Sequence, residues 1–370
     1  MKVQAAVLEE LGKPFAIQTL DLHPPKEGEV LVKVGASGVC HSDWHLVTGD
    51  TRHPLPVVPG HEGAGIVEST GPNVNLVGPG DHVILNWAPS CDNCFYCVTG
   101  SPQLCETYVQ SIWAGTMLDG TVRFSGKGKD VFHFSALSCF SEWIVVPQKC
   151  CVPVHKEVPL PIAALIGCAV TTGIGAVIHT ANVKPGSSCV IFGAGGVGLS
   201  ILMGAVLSGA GLTIVVDRLK HKLEIAKSFG ATEVLISGGQ VIEEILRLTH
   251  GRGADYVFEA IGNEGIQEQC VSAARKGGTI VFAGIAPQES SIRISSSMMT
   301  RQEKTIKGTY YGSSKPSQDF PFFADLYLKK KLDLEKLVTK TYPLAKINEA
   351  FADMVNGKVS RGMIVFNEKK

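Results

Sequence analysis

Four apolar residues, Cys189-Val190-Ile191-Phe192, run directly into Gly193-Ala194-Gly195-Gly196-Val197-Gly198, and the apolar stretch beyond reads as a helix. No other feature restricts the fold so strongly. A buried strand that turns through GxGxxG into a helix begins a parallel, doubly wound sheet. The first glycine permits the tight turn, the second lets the backbone approach a pyrophosphate, and the third lets helix and strand pack closely. The helix N-terminus adds free N–H groups and a positive dipole end for phosphates. Alone the pattern is weak, because glycine turns also arise for steric reasons. Asp217 strengthens it, standing at the end of the next predicted strand and 19 residues past Gly198. A carboxylate there can bond both hydroxyls of a ribose and repels a 2′-phosphate, so NAD is expected over NADP. Lys222, about one helical turn on, either contacts the adenosine ribose or is a solvated surface lysine.

The surrounding texture agrees with that start. Predicted strands at Leu212 to Asp217, Glu233 to Ile236, Tyr256 to Glu259 and Thr279 to Ala283 alternate with predicted helices at Gly198 to Ser208, Arg218 to Phe229, Val241 to Thr249 and Ile266 to Arg275, as a parallel sheet requires. Before about Thr171 the chain is different. Gly and Pro punctuate short β-type runs at Val30 to Val34, Gly65 to Ser69 and His82 to Leu85, which reads as an irregular, barrel-like β region. The tail beyond about Thr309 is too short for a domain and is expected to rejoin the first region. The expected division is therefore 1–170 with 310–370, and 171–309.

At 370 residues, 45% hydrophobic and 18% charged, the chain can bury two cores. Lys plus Arg equals Asp plus Glu at 34 each, so no net field draws it to nucleic acid or a membrane surface. The N-terminus lacks the basic segment and apolar run of a secretory signal, and a cytoplasmic address is expected. The longest apolar stretches, such as that around Ile201 to Val206, fall short of the roughly 20 residues of a membrane span, so none is expected.

Eleven cysteines are many, and in a reducing compartment closely spaced cysteines favour metal over disulfides. Cys91, Cys94, Cys97 and Cys105 stand as CxxCxxCx7C. Four thiolates so close in sequence can enclose one Zn²⁺ tetrahedrally with no open position, and four cysteines can also hold an iron–sulfur cluster. Such a site pins a loop by coupling its folding to metal binding. Cys139, Cys150, Cys151, Cys189 and Cys270 read as packing residues.

Three further segments, Gly38 to His45, Gly60-His61-Glu62-Gly63-Ala64-Gly65 and Gly167-Cys168, prove nothing singly. Together with the cysteine cluster and the glycine-rich turn, in that order, they resemble the zinc-dependent alcohol dehydrogenases of the medium-chain dehydrogenase/reductase superfamily, whose GHExxG signature stands at Gly60 to Gly65. The resemblance covers the chain from end to end. It implies an α/β fold: a GroES-like β-rich catalytic domain and a Rossmann coenzyme domain. It also implies two zinc ions per chain, one catalytic on Cys40, His61 and Cys168 and one structural on the four-cysteine cluster. Asp43 would orient His61, and Glu62 would assist ligand exchange. His41 and Arg361 fall at pyrophosphate contacts, and Thr172, Val197 and Ile261 at the nicotinamide end.

The implied activity is NAD-dependent oxidation of primary aliphatic or benzylic alcohols to aldehydes, and the reverse. Zinc acidifies the alcohol, hydride passes from the resulting alkoxide to the nicotinamide, and the proton leaves through Ser42 and His45. Ser42 and His45 share a face if their segment is helical. Matching by position puts Trp87, Phe134 and Ser135 in the substrate pocket near the metal, with Thr51 and Ile285 farther out. One branch of the family oxidises the glutathione adduct of formaldehyde. Against that alternative, Thr51 and Val109 replace the charged residues that hold glutathione there, and His45 stands where that branch lacks the relay histidine. Non-catalytic, lens-type members typically lack the zinc ligands that this chain keeps. The segment Trp113 to Phe140 resembles dimeric members, so a homodimer is expected, with tetramers as the alternative.

Overall fold

The computed structural model describes residues 1–366. The chain divides into two units, one formed by Met1–Cys168 with the chain from Lys315 on, the other by Ala169–Ser314.

The first unit is built on two sheets. Val30, Val32 and Val34 alternate with less buried neighbours, the period of a strand with one face in the core. They belong to Glu29–Gly38, which pairs along one edge with Gly63–Thr70 and along the other with Trp143–Pro147 and then Arg361–Val365. His82–Leu85 and Cys151–Pro153 extend this seven-stranded sheet on one side and Val338–Tyr342 on the other. The second sheet runs Lys2–Val7, Ala16–Leu22, Phe124–Gly126, Lys129–His133, Val57–Val58. Its last pair is parallel, with Val57 opposite Phe132 and Val58 opposite His133. Arg123, 1% exposed, ties this sheet to the other. Its guanidinium makes a two-pronged pair with Glu29, donating from Nε at 2.8 Å, and reaches Asp119 at 3.0 Å.

The second unit is a six-stranded parallel sheet ordered Glu233–Ile236, Leu212–Asp217, Ser188–Phe192, Ala254–Glu259, Ala274–Phe282, Thr305–Gly308. The chain starts in the middle, winds outward one way and then the other, which is the doubly wound pattern. Sequence reasoning missed the last strand and the helix Ser296–Gln302. The strand is four residues at a sheet edge, without the apolar run of its neighbours. The predicted helix to Arg275 ends at Ala273, because Ala274 already pairs with Ala254.

A long apolar helix at Leu160–Ala181 was also missed. By length and composition it is sufficient to cross a membrane, but 89% of its apolar window is buried inside the fold. Its hydrophobicity is that of a core helix. Interspersed Gly, Thr and Cys hid its continuity from a reading of apolar runs.

Candidate metal centres and nucleotide-binding turn

Parallel pairing of Val57–Val58 with Lys129–His133 sends two chains the same way out of the sheet. One becomes Pro59-Gly60-His61 and the other Phe134. They are then stitched together, with Cys139 N–H on the Gly60 carbonyl at 2.7 Å and Phe140 N–H on Pro59 at 3.0 Å. Gly60 has φ +96°, and a Cβ there would meet the Phe140 nitrogen at 2.6 Å. Only glycine fits so close an approach in that conformation.

The turn delivers His61 into a buried cluster with Cys40 and Cys168, all three under 8% exposed. Cys40 sits just before the helix His41–Thr48, and Cys168 lies in a wider, π-type stretch Ile166–Val170 of the long helix, a distortion frequent at functional sites. His61 Nε2 and Cys168 Sγ are 3.3 Å apart, and the three ligand atoms lie within 4.8 Å of one another. Zinc bonds of about 2.0–2.3 Å in a tetrahedron put ligand atoms about 3.5–3.8 Å apart. The donor set and spacing therefore fit one zinc ion, and three donors satisfy only three of its four vertices.

Asp43, fully buried, accepts from His61 Nδ1 at 3.1 Å and from Gly60 N–H at 2.9 Å through the same oxygen. That fixes the tautomer: Nδ1 carries the proton and Nε2 faces the sulfurs. Burial would pull His61 down, but the Asp43 and Cys40 charges hold it well above its ordinary pKa. The hydrogen bond with Cys168, against burial, holds Cys40 well below a normal thiol, and the Arg361 and His61 charges add to it. A site that already favours a thiolate suits a cation.

Beside the cluster, Glu62 and Arg361 form a buried two-pronged ion pair, with Arg361 Nε donating to Oε1 at 3.0 Å. Burial pushes Glu62 up to about 7 while Arg361 opposes it. Arg361, expected from the sequence at a pyrophosphate contact, directs Nε and Nη2 of its guanidinium onto Glu62, whose fully buried carboxylate needs a counter-charge.

Ser42 and His45 lie in the helix His41–Thr48, three apart and so on one face. Ser42 Oγ is 3.7 Å from Cys40 Sγ, His45 is half-buried and His41 exposed. Thr51 N–H bonds the His45 carbonyl at 3.0 Å. Two aromatic rings stand edge-on to His61, Trp87 at 6.2 Å and Phe134 at 5.7 Å between centroids. Ser135, Ala136 and Ser138 follow Phe134 with φ of 54°, 57° and 74°. Left-handed backbone at non-glycine residues costs about 1 kcal/mol or more each and concentrates at functional sites. Ser138, His133 and His53, which pack around Phe134, gave no motif to find them by.

The four cysteines of CxxCxxCx7C also come together. Cys94 Sγ is 3.5 Å from Cys97 and 4.0 Å from Cys105, and Cys91 is 4.0 Å from Cys97. All four sulfurs lie within 4.8 Å of one another. Disulfide sulfurs would be about 2 Å apart, and a multi-iron cluster would need to fit between the sulfurs, so the spacing suits one tetrahedral ion.

In the second unit the glycine-rich turn packs as the motif demands. A Cβ on Gly198 would meet the Gly193 carbonyl oxygen at 1.7 Å. Helix Gly196–Leu207 starts there, capped by Gly195 and with Val197 half-buried. Asp217 is held by backbone on both oxygens, from Ala194 N–H at 2.8 Å and Leu219 N–H at 2.9 Å. Ile261 and Ile285 are about half exposed and neighbours, since a Cβ on Gly262 would touch the Ile285 carbonyl. Thr172 and Lys222 are half-buried. Buried Glu259, which sequence reasoning passed over, accepts from the N–H groups of Ile261 and Gly262 at 2.7 Å each and shapes that edge.

Comparison with known proteins bears on the whole chain. Residues 26–156 match the family described as alcohol dehydrogenase GroES-like domain, and residues 196–329 the family described as zinc-binding dehydrogenase. The chain is 41% identical to the NDMA-dependent alcohol dehydrogenase of Amycolatopsis methanolica over 99% of both chains. It is also 41% identical to the putative alcohol dehydrogenase D of Mycobacterium tuberculosis, over 99% of this chain and all of that one. Among solved structures, the benzyl alcohol dehydrogenase of Acinetobacter calcoaceticus superposes with a TM-score of 0.94 at 34% identity, covering 99% of this chain and 100% of that one.

Proposed function

Because the chain belongs to the zinc-dependent alcohol dehydrogenases of the medium-chain dehydrogenase/reductase superfamily, with a GroES-like domain and a doubly wound coenzyme domain, we propose that it oxidises primary aliphatic or benzylic alcohols to aldehydes with NAD, reversibly. The observation that carries the proposal is the buried Cys40, His61 and Cys168 cluster, with Asp43 on His61 Nδ1 and the Trp87 and Phe134 rings edge-on to the imidazole. A zinc ion there supplies the Lewis acidity that brings ionisation of an alcohol hydroxyl toward neutral pH, and NAD supplies the hydride acceptor.

The protein's own groups do the rest. Asp43 fixes the orientation and tautomer of His61, aiming the Nε2 lone pair at the metal position and making it a stronger donor. Ser42 accepts the proton of the alcohol hydroxyl, and His45, one turn along the same helix, passes it to solvent. Trp87 and Phe134 exclude water and crowd a second substituent on the carbinol carbon, which favours primary alcohols. Asp217 binds the adenosine ribose hydroxyls and selects NAD over NADP. Cys91, Cys94, Cys97 and Cys105 hold a second, structural zinc. Benzylic substrates draw support from the Acinetobacter relative, and a homodimer, or a tetramer, is the proposed assembly.

A second reading draws on the Amycolatopsis relative, whose name makes it NDMA-dependent. In that reading turnover requires NDMA. One assay separates the two: ethanol, benzyl alcohol and S-hydroxymethylglutathione with NAD alone, NDMA alone and both. NADH formed from NAD and simple alcohols supports the first proposal; oxidation seen only when NDMA is added supports the second.

A further inference from the structure

We propose that Ser138 and His133 are positioning residues that set alcohol selectivity by holding the Phe134 ring against His61. The proposal rests on the reading of the Cys40, His61 and Cys168 cluster as the alcohol site, and it concerns a chain of contacts one layer behind that site.

The Phe134 ring stands edge-on between two imidazoles, at 5.7 Å from His61 and 5.6 Å from His53. Nothing in a bare backbone would keep it there, because Ser135, Ala136 and Ser138 are all left-handed and would relax if released. What restrains the turn is hydrogen bonding. Phe134 N–H donates to Ser138 Oγ at 3.2 Å, and Leu137 and Ser138 N–H groups return to the Phe134 carbonyl at 3.0 and 3.2 Å. Ser138 Oγ in turn lies 3.4 Å from His133 Nδ1.

The direction of that last contact follows from the other end of the ring. Arg123 N–H donates to His133 Nε2 at 2.9 Å, so Nε2 is the acceptor and the ring proton of neutral His133 is on Nδ1. Nδ1–H therefore donates to Ser138 Oγ. Burial keeps the imidazole neutral, with the Arg123 and His53 charges acting the same way. The result is a line of fully buried polar groups from Arg123, itself clamped on Glu29, through His133 and Ser138 to the backbone of Phe134. The N–H groups of Arg123, His133 and Phe134 each have an acceptor in it, and removing the Ser138 hydroxyl leaves two of these buried donors unsatisfied. A displaced Phe134 would change the width of the space facing His61, which is felt differently by flat aromatic and flexible aliphatic alcohols.

The test uses full-length, zinc-loaded protein containing 4-fluorophenylalanine, with the Phe134 fluorine resonance identified by its loss in Phe134→Leu. Ser138→Ala, Ser138→Gly and His133→Gln are compared with wild type for that resonance and for kcat/KM on benzyl alcohol and 1-butanol. The expected result is a shifted resonance and a change of about threefold or more in the benzyl alcohol to 1-butanol ratio in all three variants. Glycine is at ease at φ +74°, so agreement of the two Ser138 variants assigns the effect to the hydroxyl and not to backbone strain. An unmoved resonance, or kcat/KM falling equally for both alcohols, overturns the proposal, and if the Ser138 variants do not fold His133→Gln decides alone. Wild type that oxidises neither alcohol with NAD, with NDMA or with both would overturn the alcohol-site reading and the selectivity with it, while the fluorine spectrum would still accept or reject the holding of the ring.

Discussion

Acid should weaken the β-rich unit through His133, and the size of the effect follows from its surroundings. The imidazole is fully buried and accepts a backbone N–H on Nε2, and burial, aided by the Arg123 and His53 charges, pushes it down to about 3. In the unfolded chain it titrates near 6.5. The folded state thus binds this proton more weakly, so the stability the residue contributes is complete above about pH 6.5 and is lost as the pH falls toward 3. Each pH unit in that window is worth about 1.4 kcal/mol, so descending to about pH 5 should remove about 2 kcal/mol. His133→Gln has no such proton. At about pH 7.5 the variant should be less stable than wild type by about 1–2 kcal/mol, from the lost Nδ1–H bond to Ser138, and near pH 5 the difference should vanish or reverse. Urea unfolding followed by tryptophan fluorescence measures this in the right place, because Trp44, Trp87, Trp113 and Trp143 all lie in the β-rich unit. Metal loss at low pH affects both proteins and cancels in the difference. A gap that is the same at both pH values would refute the argument.

Metal analysis should find two zinc ions per chain; Cys40→Ala should lose one of them and all turnover while keeping its fold, whereas Cys97→Ala should lower thermal stability, and full activity in the Cys40 variant would sink the assignment. Wild-type enzyme should prefer NAD to NADP by more than about tenfold in kcat/KM, since one charge-assisted contact is worth about 1.5–3 kcal/mol, and Asp217→Gly should erode that preference; better use of NADP by wild type would contradict it. Trp87→Ala should gain on 2-butanol relative to 1-butanol, because the indole lies edge-on to His61; an unchanged ratio in a folded, zinc-loaded variant would remove Trp87 from the pocket.

What could be read without a structure was whatever is encoded over short distances. The strand, glycine turn and helix at Cys189 to Gly198 are contiguous, so their fold class was legible from spacing alone, and so was the CxxCxxCx7C cluster, whose ligands fit within 15 residues. Cys40, His61 and Cys168 were grouped only through resemblance, since a separation of 107 residues between His61 and Cys168 says nothing about their distance in space. The edge strand Thr305–Gly308 and the helix Leu160–Ala181 were missed because one has too few apolar residues and the other too even a spread of them.

Tertiary structure alone decided which polar groups meet in the core. Arg361 and Glu62 are 299 residues apart, and an arginine with a phosphate role in view gave no sign that it would turn inward to neutralise a buried carboxylate. The line from Arg123 through His133 and Ser138 to Phe134 is equally invisible in the sequence, because serine and histidine carry no periodicity that marks them as partners. Short-range patterns determine which elements form and where glycine or cysteine is needed. The pairing of buried charges and donors depends on which surfaces lose their water, and that is settled only when the sheets have come together.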